Sequence, residues 1–247
     1  MSTDPTWPEA YDRLVLPEVD STMLEASRRL PGLTRPLWIL AERQTAGRGR
    51  RGRVWTDPAG NFAATLVMRL SDPPARLALR SFTAALALHE ALTALTGLDT
   101  AFALKWPNDV LLNGGKLSGI LLESPGAGVL SLGIGVNLRA SPQPDPAAAF
   151  APVNLRSETG LTLSAARLLD HLGPAFSRWE TRLATYGFAP VRAAFLARAT
   201  RLGEPIIART VTEETQGVFD TIDDTGALVL RTPQGRRAIP AADIFFP

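Results

Sequence analysis

The sequence has 247 residues, enough for one large domain or for a domain with a small appendix, and its 45% hydrophobic and 20% charged residues are typical of a globular chain. It contains no Cys, which excludes disulfides, thiolate nucleophiles and Cys-ligated zinc, and no uninterrupted apolar stretch of about 18 residues, which excludes a membrane-spanning helix. Lys and Arg number 26 against 24 Asp and Glu, so the chain is nearly neutral and unlike a general nucleic-acid binder.

Apolar runs and helical periodicity predict a series of strands and helices for the larger, N-terminal part of the chain. Thr22 and Glu25 have the spacing of a capping box, which predicts a helix start. The pair Asn113-Gly114 predicts a hairpin turn between strands 110–112 and 117–123. The predicted strands are 13–16, 37–42, 61–70, 101–105, 110–112, 117–123 and 129–138, and the predicted helices are 22–30, 76–95, 164–186 and 191–198.

Short strands separated by turns follow residue 202 and predict a small β-barrel. They are 205–211, 216–222, 227–231 and 236–239. We therefore predict a larger domain over residues 1–199 and a barrel domain over residues 200–247. The N-terminus lacks a basic segment followed by an apolar one, which predicts a cytoplasmic protein without a signal peptide.

The segment Gly47 to Arg53 concentrates positive charge, because four of its residues are Arg in a chain whose net charge is only +2. Glycine lets backbone amides approach a ligand, and the arginine fork matches a phosphate or a carboxylate. The segment predicts a site for an anionic ligand. A solvated basic loop or an RNA contact would explain the same residues.

Two further segments combine turn residues with reactive side chains. Lys105 to Asp109 ends a predicted strand in Trp-Pro-Asn-Asp, and Lys116 begins the next hairpin strand. An Asx turn and a solvated lysine are the ordinary explanations of these residues. In Gly133 to Asn137, paired glycines predict a bulge or the floor of a pocket, and the third glycine of a dinucleotide fingerprint is missing.

In order and approximate spacing, these segments resemble the biotin protein ligase family, and the resemblance extends from about Arg13 to Pro247. The segments that carry it are Asp20-Ser21-Thr22, Gln44-Thr45-Ala46, Gly47 to Arg53 with Trp55, Lys105 to Asp109, Lys116 to Leu121 and Gly133 to Asn137. The resemblance implies an α+β fold, with a mixed-sheet catalytic domain of the class II aminoacyl-tRNA synthetase type and a C-terminal SH3-like barrel. It also implies an ATP-dependent ligase that makes biotinyl-5′-AMP and transfers biotin to a lysine of a biotin carboxyl carrier protein of acetyl-CoA or related carboxylases.

The resemblance also implies roles for individual residues. The catalytic residues would be Lys116, Arg50 and Asp109, with Asp109 facing the incoming lysine. The biotin-binding residues would be Ser21, Thr22, Gln44, Arg48, Gly49, Arg50, Lys116, Gly119 and Gly135. The nucleotide-binding residues would be Arg53, Trp55, Asn108, Asn137 and Phe150. Mg²⁺ accompanying ATP would lie near Asn108 without dedicated protein ligands, and no tightly bound prosthetic group is implied.

Two positions depart from the family pattern: Met23 stands where Asn is common, and Phe150 where some members place a Trp over adenine. Only about a dozen residues precede the catalytic match, so we predict no winged-helix domain, no specific DNA binding and no membrane partner. The resemblance allows a homodimer. Two alternatives are open. The chain could be a lipoate-type ligase of the same superfamily, or a nucleic-acid-binding module that uses the Arg/Gly segment.

Overall fold

The computed structural model describes residues 4–49, 52, 55–56, 58–126, 128–144, 149–210 and 212–246. The larger part of the fold is built on one mixed sheet, whose strands are β1 (Asp12–Leu16), β2 (Leu37–Ala41), β3 (Phe62–Arg69), β7 (Ser118–Glu123) and β8 (Val129–Val136). Their order is β1-β2-β3-β8-β7. The pair β1 and β2 is parallel and the other pairs are antiparallel.

A second, small antiparallel sheet carries part of the chemistry. It contains β4 (Phe102–Lys105), β5 (Asp109–Leu112) and β6 (Gly115–Lys116). The turn at Asn113 and Gly114, whose φ angles are 51° and 82°, joins β5 to β6 as two-residue hairpins of this kind require. The prediction that strand 117–123 pairs with strand 110–112 is wrong, because β5 pairs with β6 and β7 pairs with β8 in the mixed sheet.

The helices cover the two faces of the mixed sheet unequally. They are α1 (Thr22–Arg29), α2 (Pro74–Ala78), α3 (Arg80–Thr96), α4 (Leu155–Thr159), α5 (Ala165–Tyr186) and α6 (Phe188–Leu196). On one face, α3 and α5 close the main core, where Leu66, Leu86 and Phe176 are almost completely buried. On the other face, α1 packs through Ala26 against Ile39 and leaves room beside it.

The capping box predicted at the start of α1 is wrong. Ser21 is the N-cap and makes no side-chain capping bond, and Thr22 is already helical. The Thr22 hydroxyl donates instead to Gln44 Oε1 at 3.1 Å, and the Glu25 carboxylate accepts from Arg29 at 2.7 Å. A tertiary partner for Thr22 and a partner within the same helix for Glu25 thus replace the capping pattern.

Two further helices differ from their predictions. The predicted helix 76–95 begins earlier, at Pro74, and is divided at Leu79 into α2 and α3, with Gly97 in the left-handed region as the C-cap. The helix α4 was not predicted. It begins where Asn154 Oδ1 accepts a hydrogen bond from Ser157 N at 2.9 Å, which is ordinary N-cap chemistry.

The C-terminal part forms an antiparallel sheet of the SH3-like type. Its strands are β9 (Pro205–Arg209), β10 (Glu214–Ile222), β11 (Leu228–Thr232), β12 (Gly235–Ile239) and β13 (Asp243–Phe245), in the order β12-β11-β10-β9-β13. The α+β class is confirmed, whereas β13 was not predicted and the exact division at residue 199 stays a prediction. Trp106 Nε1 donates to the Gly226 carbonyl at 2.9 Å and so ties this sheet to the larger part. Among the described residues, no helix combines the length and hydrophobicity needed to cross a membrane.

Candidate active site

A cavity of about 310 Å³ lies on the α1 face of the mixed sheet, and β13 contributes to its wall. Side chains alternate along β8, so that Ile134 and Val136 belong to the main core while Gly133 and Gly135 face the cavity. Asn137 follows on the same side. At about 3.3 Å per residue, Gly133 and Asn137 are about 13 Å apart. The cavity is an elongated slot, with what we call a Gly133 end and an Asn137 end.

The Gly133 end is built around a hydrogen-bonded polar group. Gln44 Oε1 accepts from Thr22 N at 2.9 Å and from Thr22 Oγ1 at 3.1 Å, and Thr65 Oγ1 lies 2.8 Å from Thr22 Oγ1. Backbone bonds from Thr45 N to Val19 O and from Ala46 N to Asp20 O hold the Gln44 segment against the start of α1. The network fixes the position of α1 relative to the sheet.

Ser21 supplies a further polar group at this end. Its side chain is buried, and its Oγ makes no hydrogen bond with any described residue. It stands at the N-cap of α1, where the first backbone N–H groups of a helix lack intrahelical acceptors. A buried hydroxyl without a partner is costly unless a ligand completes it. The Gly133 end is therefore suited to a ligand that carries a carbonyl or a similar acceptor.

The middle of the slot is covered by Trp55. Its indole lies against the bare backbone of Gly135, where an added Cβ would overlap the ring, and a Cβ at Gly119 would lie 3.2 Å from Cζ3. Trp55 N donates to the Gly47 carbonyl at 3.0 Å, which positions the ring. Glycine is needed at position 135 because the indole approaches the backbone more closely than a side chain permits, whereas the contact at Gly119 is only tight.

The Asn137 end contains a buried group of three charges. Asp109 Oδ1 lies 2.9 Å from Lys116 Nζ, and Asp109 Oδ2 lies 3.1 Å from Lys105 Nζ. Burial alone would raise the pKa of Asp109, but the charges of Lys105 and Lys116 outweigh it and lower the pKa from 3.8 to about 2. The carboxylate stays ionised at neutral pH, and the three groups together carry one positive charge.

The two lysines differ in accessibility. The Lys105 side chain is only 10% exposed, and its Nζ lies 4.9 Å from the centre of the Phe150 ring. The Lys116 side chain is 36% exposed. Of the two lysines, Lys116 is thus the one that a ligand in the slot reaches more readily, while Asp109 holds it in place.

Aromatic and amide groups complete the Asn137 end. Phe150 and Phe246 meet edge to face with ring centres 4.5 Å apart, which joins the C-terminal sheet to this wall. Asn137 Nδ2 donates to the Val153 carbonyl at 3.1 Å, whereas its buried Oδ1 has no hydrogen-bond partner among the described residues. Because Asn137 lines the cavity, this oxygen is a candidate acceptor for a donor or a cation.

The structure brings most of the predicted residues to this one cavity. Its lining includes Ser21, Thr22, Gln44, Arg48, Gly49, Trp55, Asp109, Lys116, Gly119, Gly135, Asn137 and Phe150. The predictions for Arg50 and Arg53 lie outside the described residues. Asn108 is not part of this lining, and its Nδ2 donates to the Ile120 carbonyl, so a nucleotide and Mg²⁺ beside it stay a prediction.

Sequence reasoning missed two parts of the lining. Met23 was treated only as a departure from a family pattern, yet its side chain lines the Gly133 end. The strand Asp243–Phe245 was not predicted, although it forms part of the wall. The strand could have been found from the apolar run at the end of the chain, Ile244 to Phe246.

Comparisons with known proteins agree on one family. The model of the biotin/lipoate A/B protein ligase family matches residues 15–139, and that of the biotin protein ligase C-terminal domain matches residues 202–246.

A biotin–[acetyl-CoA-carboxylase] ligase from Paracoccus denitrificans is 54% identical over 94% of this chain and 99% of its own length. The bifunctional ligase/repressor BirA from Bacillus subtilis is 32% identical over 83% of this chain, which spans 65% of that relative. A biotin protein ligase from Aquifex aeolicus in complex with biotin and ATP superposes with a TM-score of 0.79 at 25% identity, covering 94% of this chain and 97% of the other.

Proposed function

The chain belongs to the biotin/lipoate A/B protein ligase family, and on that premise we propose that it is an ATP-dependent biotin ligase acting on a carboxylase carrier protein. The observation that carries the proposal is the division of one slot into two chemically different ends. A neutral polar group lies at the Gly133 end and a cationic group about 13 Å away at the Asn137 end. Biotin has the matching order: a ureido ring, an aliphatic arm and a carboxylate.

The Gly133 end favours biotin over lipoate. The Ser21 hydroxyl and the Gln44 amide offer hydrogen bonds to a ureido group, and the Ser21 oxygen is buried without a partner among the described residues. A dithiolane ring has no comparable donor or acceptor and would leave the Ser21 hydroxyl unsatisfied. Sites built to hydrogen-bond a substrate group reject analogues that lack it.

The Asn137 end suits the activation of a carboxylate. Two unit anions about 4 Å apart repel each other by about 4 kcal/mol at an effective dielectric of 20. The Lys116 ammonium, already held by Asp109 and partly exposed to the slot, offsets this repulsion when the biotin carboxylate approaches the α-phosphate of ATP. In the first step the carboxylate oxygen bonds to the α-phosphorus, and the bond to pyrophosphate breaks.

The nucleotide would lie between the aromatic wall and the lysines. Phe150 offers a ring for adenine to stack on, and Asn137 Oδ1 offers an unpartnered acceptor. Mg²⁺ prefers oxygen ligands and usually enters with the phosphates, so Asn137 Oδ1 is a fitting protein contact for it. The mixed anhydride product is sensitive to water, and the Trp55 indole over the glycine floor would help to exclude water from it.

In the second step a lysine amine of the carrier protein attacks the acyl carbon, an amide bond forms and AMP leaves. An amine with an unperturbed pKa of about 10.4 arrives mostly as an ammonium. Asp109 is a weak proton acceptor because the charges of the two neighbouring lysines keep its pKa at about 2 against the opposing effect of burial. Its role in this step is therefore to hold Lys116 in place, while the ammonium of the carrier lysine releases its proton to water before the free amine attacks.

The acceptor we propose is a biotin carboxyl carrier domain, as the name of the Paracoccus denitrificans relative indicates for that protein. A cytoplasmic location, the absence of specific DNA binding and the assembly state stay predictions. The test is transfer of biotin to a purified biotin carboxyl carrier domain, followed by intact mass. We expect one biotin per carrier domain in the presence of ATP and Mg²⁺, and none when the acceptor lysine is replaced by Arg. A carrier that gains mass from lipoate but not from biotin would favour the lipoate ligase.

A further inference from the structure

Met23 closes the Gly133 end of the slot. Its side chain is 6% exposed and lines the cavity. A Cβ added at Gly133 would lie 2.9 Å from Met23 Sδ and 3.2 Å from Met23 Cγ. The thioether therefore occupies the space above Gly133 that a side chain on β8 would otherwise take.

The backbone that carries Met23 is fixed, whereas its thioether is not. Thr22, the preceding residue, is held by Gln44 at 2.9 Å and by Thr65 at 2.8 Å. The Met23 side chain has several rotatable bonds and makes no hydrogen bond that fixes it. The depth of the slot at this end thus depends on one flexible apolar side chain, while the polar contacts come from Ser21 and Gln44.

We propose that Met23 is a specificity-determining residue, whose thioether sets the length of the slot and the size of the ring system it accepts. The proposal rests on the proposed biotin ligase function. Biotin would fill the space between Met23 and the cationic end, so that its ring system contacts the thioether. Ring systems with additional substituents at this end would be rejected by overlap with Met23.

The test compares ligands in biotin-dependent exchange of pyrophosphate into ATP. The probes are biotin, biotin sulfone and biotin methylated on a ureido nitrogen. The two analogues enlarge the bicyclic ring on opposite sides. Met23→Ala should lower the preference for biotin over at least one of the two analogues by about 10-fold or more, because one or two groups in an apolar pocket discriminate on that scale. Leu24→Ala, one residue further along α1 and outside the cavity lining, is the matched control.

A second pair of variants tests the contact itself. Gly133→Ala should push the thioether into the slot and raise the KM for biotin, because the new Cβ meets Met23 Sδ at 2.9 Å. The double variant Met23→Ala with Gly133→Ala should recover most of the loss, since the partner of the clash is gone. The KM for ATP should change little in all three variants, because the nucleotide would bind at the other end.

The outcomes separate this proposal from the function on which it rests. Exchange by the unmodified protein with biotin, together with the two selective effects above, supports it. Exchange with biotin but an unchanged preference in Met23→Ala, or no recovery in the double variant, overturns the role of Met23 and leaves the ligase intact. A wild-type protein that shows no biotin-dependent exchange overturns both. Melting curves of each variant identify any loss of fold.

Discussion

Asp109 Oδ1 lies 2.9 Å from Lys116 Nζ, at the cationic end of the slot, and the same carboxylate holds the more buried Lys105 through its other oxygen. The contact gives Lys116 a defined position before any substrate arrives. A pre-positioned cation costs little reorganisation when charge develops on a bound phosphate, which is the advantage of a preorganised site.

Lys116→Arg keeps the charge but should remove most of the first half-reaction. The guanidinium is wide and planar, whereas the present contact with Asp109 is that of a compact ammonium. We expect biotin-dependent pyrophosphate release to fall about 100-fold, the scale seen when one electrostatic contact to a transition state is lost. Arg156→Lys, at an exposed position of α4, is the reciprocal control and should be neutral. Near wild-type release by Lys116→Arg would contradict this account of the site.

Asp109→Asn should lower stability in a pH-dependent way. The folded pKa of about 2 lies below the ordinary value of 3.8, so the carboxylate stabilises the fold above pH 3.8 and this contribution is lost as the pH falls toward 2. The variant also removes the carboxylate that pairs with the buried Lys105 ammonium, which is costly. We expect the difference in Tm between wild type and variant to be large at pH 7 and to shrink below pH 4.

The control for this measurement is Asp170→Asn, which breaks an ion pair with Arg13 whose partners are both 39% exposed. An exposed pair contributes about 0–1 kcal/mol, so the control should shift Tm little at any pH. A pH-independent Tm difference for Asp109→Asn would show that its charge does not stabilise the fold.

Gly135→Ala should impair biotin binding far more than Gly119→Ala. The two glycines are neighbours in register across β7 and β8 and both face Trp55. At Gly135 the new methyl group would overlap the indole, whereas at Gly119 it would lie 3.2 Å from it. Overpacking typically costs about 1–3 kcal/mol, which corresponds to a Kd about 5- to 150-fold higher for Gly135→Ala. Titration calorimetry with biotin gives the comparison, and equal effects of the two substitutions would argue against close Trp55 packing.

Asn61→Ala should weaken the nucleotide end specifically. Asn61 Oδ1 accepts from Arg139 N at 2.9 Å and Ala140 N at 3.1 Å, and Asn61 Nδ2 donates to the Ala140 carbonyl at 2.8 Å. These bonds hold the turn that leads from Asn137 toward Pro142 in the cavity wall. A lost hydrogen bond costs about 1 kcal/mol, so we expect the KM for ATP to rise about 5- to 10-fold. An unchanged KM for ATP, or an equal rise in the KM for biotin, would refute this positioning role.

Local patterns predicted most of the fold because the apolar runs of β2, β3 and β8 and the periodicity of α5 agree with their final environments. The capping box failed for a tertiary reason. Gln44 lies 22 positions away and takes the Thr22 hydroxyl that local chemistry assigned to the cap. Long-range partners of this kind are not visible in the spacing of neighbouring residues.

The candidate site was predicted in part for a related reason. Lys116, Gly135 and Asn137 follow from a family pattern, and the structure brings them to one slot. Asn108 belongs to the same pattern, but its amide donates to a backbone carbonyl on β7, an alternative that only the fold can reveal. The wall from Asp243–Phe245 depends on how the C-terminal sheet docks, which no local pattern records.

The proposed function requires one slot to place a ureido ring and a carboxylate at opposite ends, so that biotin and ATP are joined there. The most direct test is pyrophosphate release by the purified protein with ATP and Mg²⁺, measured with biotin, with lipoate and without either acid, in the wild type and in Ser21→Ala. We expect release with biotin but not with lipoate or without an acid, and a higher KM for biotin in Ser21→Ala because a buried hydroxyl contact is lost. Release with lipoate and none with biotin, or release that requires neither acid, would contradict it.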